Sequence, residues 1–222
     1  SGPEAGMDLW QKLLRASKAL QAGCYRGDLD APHVEVVSCP GLGLSMELAS
    51  TDIVVWPVLE ATIRRMAEQV DYMAIACNTL NYYSPQIAAL PLRAKLISTT
   101  GVIRDHIRVN GLNAVALLAS RPVMRLDPWS VYANLAEEVH IELPADQEAI
   151  HRLIYDVKRL GGSDPALRSR FGKIINNLVA GTVLLACTEL PLLAAAHPGK
   201  QLVDITELLA RRLAELSLFG EG

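Results

Sequence analysis

Aromatic residues are scarce in this sequence, cysteines are few, and neither sign of charge dominates. Phe, Trp and Tyr make up 5% of 222 residues, while 21 basic and 24 acidic side chains leave a formal net charge of −3. No run of Lys or Arg exceeds a pair, so the chain lacks the electrostatic footprint of a nucleic-acid binder or of an anionic membrane surface binder. No nucleic-acid partner and no membrane are expected. Uninterrupted apolar stretches such as Ile53 to Leu59 and Thr182 to Cys187 are far shorter than the roughly 20 residues that cross a bilayer. A transmembrane helix is therefore not expected, nor a secretory signal at the start, and a cytoplasmic location follows as the expectation. The four cysteines, Cys24, Cys39, Cys77 and Cys187, lie 15, 38 and 110 residues apart. That spacing fits neither a CxxC metal or redox pattern nor a disulfide framework, so free thiols are expected. The histidines (His33, His106, His140, His151, His197) show no HExxH or paired spacing; they read as surface or boundary residues, and no metal site is expected.

What is present is an alternation of apolar runs and amphipathic stretches. Half of the residues are apolar. Val34 to Val37, Tyr72 to Ala76, Leu96 to Ser98, Ala114 to Ala119, Val139 to Leu143, Val183 to Ala186 and Leu202 to Ile205 read as strands. Most are continuous rather than alternating, as strands buried on both faces of a parallel sheet are. Helical spacing appears over Asp8 to Ala22, Val58 to Gln69, Trp129 to Leu135, Asp146 to Leu160, Ala166 to Leu178 and Thr206 to Leu216. The pattern predicts a three-layer α/β architecture. Pro57 is placed to open a helix, Gly161-Gly162 to end one, and Ser163-Asp164-Pro165 to cap the next.

The chain also repeats itself. Tyr72-Met73-Ala74-Ile75-Ala76-Cys77-Asn78-Thr79 matches Thr182-Val183-Leu184-Leu185-Ala186-Cys187-Thr188-Glu189, 110 residues later. A second match, Leu96 to Ile103 against Leu202 to Leu209, follows at an offset of 106. Two pseudo-symmetric parallel-sheet half-domains are the simplest explanation. Residues 1–98 with 207–222 are expected to form the first lobe and residues 99–206 the second. The second half opens with a strand, Ala114 to Ala119, and then Ser120-Arg121-Pro122. The first half has no counterpart ahead of Asp8, so its leading strand is expected to be missing.

Two thiols at the C-terminal ends of buried parallel strands occupy the place where open α/β sheets put their ligands. Asn78-Thr79 and Thr188-Glu189 supply hydroxyls and backbone N–H groups that hold a carboxylate and favour thiolate over thiol, lowering a pKa of about 8.5. Acid–base groups on opposite sides of one carbon remove a proton from one face and supply it to the other, which inverts the centre. Cys24 and Cys39 read as packing residues.

The paired motifs Ala76-Cys77-Asn78-Thr79 and Ala186-Cys187-Thr188-Glu189-Leu190-Pro191 resemble the two signatures of the aspartate/glutamate racemase family, over nearly the whole chain. Ser1-Gly2-Pro3-Glu4-Ala5-Gly6 looks like the end of that family's opening glycine-rich turn, without the preceding strand and Gly-Gly. The resemblance implies a homodimeric, flavodoxin-like pair of lobes that works on a small-molecule substrate without PLP or any other cofactor. It makes Cys77 and Cys187 the acid–base thiols. Asn78, Thr79 and Thr188 would bind the α-carboxylate or amino group, Glu189 would orient the second site, and Ser120 falls at a substrate-loop position.

Three departures from the family pattern bear on the substrate. The loop that carries an Arg in aspartate-specific members reads Ser38-Cys39-Pro40-Gly41-Leu42-Gly43-Leu44; Gly162 stands where a Lys usually follows Leu-Gly; and Leu80-Asn81 replaces Ala-His. Burying a carboxylate without a cation is costly, so a neutral side chain is expected on the substrate unless Arg121 or Arg125 supplies the charge. Relatives of the family that decarboxylate malonate derivatives or isomerise diacids offer a second reading, and a non-catalytic binding or assembly module a third. Carboxylates such as Glu137-Glu138 and Asp204…Glu207 read as solvated faces and a helix N-cap, with Asp204 a minor candidate for supporting the Cys187 loop.

Overall fold

The structure, a computed structural model, describes residues 3–220; Ser1-Gly2 of the expected opening turn lie outside the described residues. The elements run α1 (Pro3–Leu20), α2 (Leu48–Ala67), β1 (Tyr72–Met73), α3 (Ser84–Ala88), β2 (Lys95–Leu96), α4 (Thr99–Val109), β3 (Ala114–Ala119), α5 (Arg121–Met124), β4 (His140–Glu142), α6 (Gln147–Leu160), α7 (Pro165–Asn176), β5 (Thr182–Ala186), β6 (Gln201–Asp204) and α8 (Ile205–Phe219), joined by loops and short 3-10 turns. This is an α/β fold with two sheets, both wholly parallel: β1-β2, and β4-β3-β5-β6.

The larger sheet carries the main core. Val115 to Ala119 of β3 and all of β5 are buried, because helices cover both faces. On α6, Ile150, Leu153, Ile154 and Val157 repeat at i, i+3, i+4 and i+7 and turn one face into that core. Asp146 caps this helix by accepting from the Ala149 N–H at 2.9 Å, and Asp164 caps α7 from Ala166 at 2.8 Å. Gly161 ends α6 at φ 80°, a conformation L side chains rarely adopt. Gly162 is required for a different reason: a Cβ there would lie 2.4 Å from the Leu192 Cβ and 2.8 Å from its carbonyl oxygen.

The smaller sheet departs from expectation. Val34–Val37 forms no strand among the described residues, and of Tyr72–Ala76 only the first two residues join β2. Pro57 lies inside α2 rather than at its start. The carbonyl that loses its helical partner belongs to Ile53, on the exposed face of the helix. The run Pro40–Ala67 is long and apolar enough to cross a bilayer, a feature hidden from the sequence reading by Glu47, Asp52 and Glu60. Here its inner face (Leu48, Val55, Leu59, Ile63) is core to the first lobe, and Asp52 accepts a 2.6 Å hydrogen bond from the Tyr83 hydroxyl. The stretch expected to be helical over Trp129 to Leu135 is a set of turns ending in the 3-10 segment Ala133–Glu137.

The chain ends pack on each other, α1 against α8. Lys12, 5% exposed on α1, pairs with Asp8 and reaches Asp204 at 2.6 Å. Asp204 also caps α8 through the Thr206 N–H at 2.8 Å. It therefore belongs to the helix–helix joint and not to the Cys187 loop.

Candidate active site

β5 delivers Cys187 into a buried position, and the turn that follows folds Glu189 back beneath it. The Cys187 thiol donates to Glu189 Oε2 at 2.9 Å, and the Thr188 hydroxyl donates to the same oxygen at 3.0 Å. The other carboxylate oxygen accepts from the ammonium of Lys158 on α6. Burial pushes the Cys187 thiol well above its ordinary pKa, the Glu189 carboxylate adds to this, and Lys158 offsets only part. Cys187 therefore rests as a thiol, a correction to the expected thiolate: the donors foreseen around the sulfur are outweighed by desolvation and a carboxylate. Burial alone would raise Glu189 too, but Lys158 and the hydrogen bonds from Cys187, Lys158 and Thr188 hold it below the usual carboxylate range. Burial disfavours the Lys158 charge, yet Glu189 and then the two cysteines, Cys187 and Cys77, carry its pKa above the ordinary value. Lys158 thus lies within electrostatic reach of both sulfurs.

The end of the β1 segment is built differently. Cys77 is half-buried, and the nearest polar contact of its sulfur is the Ser45 hydroxyl at 3.8 Å. The backbone around it is pinned by Asn81, whose amide donates to the Cys77 carbonyl at 2.8 Å and to the Ile75 carbonyl at 3.2 Å, while its own oxygen accepts from the Thr99 hydroxyl at 3.0 Å. Asn78 is buried, with its side-chain oxygen accepting from the Tyr132 hydroxyl. Burial, and then the neighbouring Cys187, hold Tyr132 well above the ordinary phenol pKa, so it stays a donor. Thr79 meets Ser120 hydroxyl to hydroxyl at 2.9 Å, with both residues buried. Thr188 lines one small cavity with Cys77, Asn78 and Asn81, of about 10 Å³. That is water-sized.

Residues expected from sequence at Cys77, Asn78, Thr79, Ser120, Cys187, Thr188 and Glu189 are linked by these contacts into one region. Lys158 and Tyr132 were not foreseen. Lys158 sits on α6 one turn ahead of Gly162, where the Leu192 backbone leaves no room for a side chain. Lys158, one helical turn earlier than that position, is a cation paired with Glu189. His151 also corrects the sequence reading: it is 2% exposed, its Nδ1 accepts from the Arg121 N–H at 3.1 Å, and its Nε2 lies 3.2 Å from Glu47 Oε1. Arg121 reaches Glu47 at 2.6 Å and Glu148 at 3.2 Å, so its charge is already engaged. Arg125 is exposed.

Two parallel sheets covered by helices, with a cysteine after the β1 segment and another after β5, each followed by buried hydroxyl or amide groups, define an α/β protein of the two-sheet class. The chain belongs to the Asp/Glu/Hydantoin racemase family, whose model matches residues 2–213. Solved structures agree on the fold. Aspartate racemase of Picrophilus torridus superposes with a TM-score of 0.78 at 19% identity, over 97% of this chain and 90% of that one. An aspartate racemase homologue from Pyrococcus horikoshii gives 0.73 at 19%, over 97% and 95%. Glutamate racemase of Campylobacter jejuni gives 0.57 at 16%, over 95% and 81%. No curated protein sequence matches significantly. Family membership makes this chain a racemase or epimerase, an isomerase by class.

Proposed function

We propose that the protein inverts the Cα of an amino acid without a cofactor, by two-thiol acid–base chemistry, and that the substrate's side chain is not acidic. In one direction Cys77, as thiolate, takes the α-proton. The electron pair left at Cα delocalises into the carboxylate, and Cys187 returns a proton to the opposite face; the reverse direction exchanges the roles. Lys158, with N–H groups beyond the one on Glu189, and the hydroxyl of the Thr79–Ser120 pair that does not donate to the other are the donors available to the developing negative charge, and preorganised donors of this kind often supply the largest catalytic term.

The observation that carries this reading is the buried thiol–carboxylate–ammonium chain Cys187–Glu189–Lys158, placed at a segment end that Cys77 repeats. A neutral side chain is favoured because Arg121 and Lys158 both have carboxylate partners already, and Pro40 to Leu44 brings no cation. The test is deuterium incorporation at Cα from D2O across a mixture of free amino acids. Exchange in one or more neutral amino acids is expected. Preferential exchange of aspartate overturns the side-chain assignment, and loss of carboxylate as CO2 without exchange overturns the racemase assignment in favour of decarboxylation.

A further inference from the structure

The 3-10 segment Pro40–Glu47 touches the two larger hydrophobic cores and one of the two thiols within eight residues. Leu42 is buried in the core that packs on β1, whereas Met46 is buried in the core of the four-stranded sheet. Ser45 lies between these anchors, is itself buried, and places its hydroxyl 3.8 Å from the Cys77 sulfur.

Glu47 ties down the end of the segment. Its Oε1 accepts from the Arg121 guanidinium at 2.6 Å and lies 3.2 Å from Nε2 of His151. The Arg121 backbone N–H donates to Nδ1 of the same ring at 3.1 Å, and a ring that accepts on Nδ1 carries its proton on Nε2, the atom beside the carboxylate. Burial on its own would raise Glu47, but the hydrogen bonds from Arg121 and His151 outweigh it and hold the carboxylate below its ordinary range. Tyr155 meets the His151 ring edge-on, centroids 5.1 Å apart, and Glu148 holds the other arm of Arg121 at 3.2 Å. A buried imidazole, a shared guanidinium and three elements, the Pro40–Glu47 segment, α5 and α6, thus converge on one carboxylate. Two contacts connect the Cys77 turn to Arg121. One runs through Ser45 and Glu47; the other runs through Thr79 and Ser120, the residue just before Arg121.

We propose that Glu47, held by Arg121 and His151, is a positioning residue for the Cys77 half of the reaction: it keeps the Ser45 hydroxyl at the Cys77 sulfur, where it donates to the thiolate that takes the α-proton. This rests on the two-thiol reading of the site. A hydroxyl donates more strongly to an ionised sulfur than to a neutral one, so the contact matters most at the step in which Cys77 acts as base. The polar neighbours of the two sulfurs are then complementary. Beside Cys187 stands an acceptor that keeps a proton on the sulfur, and beside Cys77 a donor that receives none from it once the sulfur is ionised.

The experiment alkylates the full chain with iodoacetamide and follows the Cys77 peptide by mass spectrometry. The readout is the ratio of the Cys77 rate at about pH 7.5 to that at about pH 9.5; the nucleophile is the thiolate, so the ratio reports how readily it forms and cancels changes in access. Lys158, the cation within electrostatic reach of Cys77, is present in every variant compared. Ser45→Ala is expected to lower the ratio about threefold, the reach of one modest hydrogen bond. Glu47→Ala should lower it equally, and the double variant no further than either alone, because Glu47 acts through Ser45. Glu47→Gln retains an oxygen that accepts from Arg121 and His151 and should recover at least about half of the loss. Arg121→Met, which breaks the same anchor from its other side, repeats the cycle with Ser45→Ala should Glu47→Ala fail to fold. An unchanged ratio in Glu47→Ala or in Ser45→Ala overturns the proposal. So does a double variant that loses about ninefold, the product of two independent effects, or a Glu47→Gln no better than Glu47→Ala. Alkylation uses no substrate: the expected ratios without α-proton exchange in D2O keep the positioning role and overturn the racemase reading, and exchange with unchanged ratios does the reverse.

Discussion

Cys187 and Cys77 terminate corresponding segments of one repeated pattern, yet they sit in unlike surroundings. Cys187 leaves the central part of a four-stranded sheet and is buried against a carboxylate that holds its proton. Cys77 follows a segment of which only two residues pair as strand, and it keeps a half-buried sulfur with a hydroxyl at 3.8 Å. The difference teaches that the surroundings of a sulfur are not carried by the Ala-Cys-polar motif. Desolvation and the sign of the nearest charge set them apart, and both follow from how completely the local sheet is built.

The largest expected effect breaks the pair directly. Cys187→Ser and Cys77→Ser should each lower racemisation by about 10²–10⁴-fold, the usual reach of one acid–base group. The two variants should then differ. With Cys77 intact, Cys187→Ser still washes out the α-proton of the enantiomer facing Cys77 in D2O, whereas Cys77→Ser does not. NMR of both enantiomers checks this; equal loss of wash-out from both enantiomers in both variants removes the functional asymmetry.

Next in size is the support beneath Cys187. Glu189→Gln removes the charge that Lys158 pairs with and leaves the ammonium in a largely buried position. Breaking such a pair costs about 3–5 kcal/mol, and a Lys158 side chain that is 27% exposed places this case near about 3. Thermal unfolding checks it. The same pair sets pH dependence at both ends. Glu189 is held below its unfolded value of about 4.3, so its contribution is present above that pH and is lost as pH falls through the folded value. Lys158 is held above its unfolded value of about 10.4, so its contribution is present below that pH and is lost as pH rises through the folded value. The parent protein should lose stability below about pH 4 and above about pH 10.5, and Glu189→Gln should flatten both limbs.

How much of this was legible in the sequence follows the same division. The second lobe was readable because its strands are continuous apolar runs and its helices carry Asp caps at Asp146, Asp164 and Asp204, all local signals. The first lobe was not, because Val34–Val37 has strand composition without a partner to pair with, and strand pairing is a non-local property. Pro57 was misread for a related reason: a proline opens a helix only where no earlier turn exists, and Leu48 to Trp56 supplies one. At the site, Cys77, Cys187 and the residues after them were marked by repetition. Lys158 and Tyr132 reach the site from α6 and from the turn after Pro128, through packing alone. The buried His151 is marked by no spacing either; its partners come from Glu47 and Arg121, 104 and 30 residues away.

The smallest expected effect concerns how the two halves of the site are joined. Thr79 and Ser120 come from opposite halves of the repeat, and their 2.9 Å contact is buried. Thr79→Val keeps the shape but strands the Ser120 hydroxyl, which should cost about 1–2 kcal/mol, while Thr79→Val with Ser120→Ala together should recover part of that by removing the orphaned group. A double-mutant cycle on chemical denaturation then gives a coupling of about 1 kcal/mol. Ser45→Ala, at the looser Cys77 contact, should fall within about 0.5 kcal/mol of the parent. If Ser45→Ala costs as much as Thr79→Val, Cys77 is held as firmly as Cys187, and the contrast between the two sulfurs lies in charge alone.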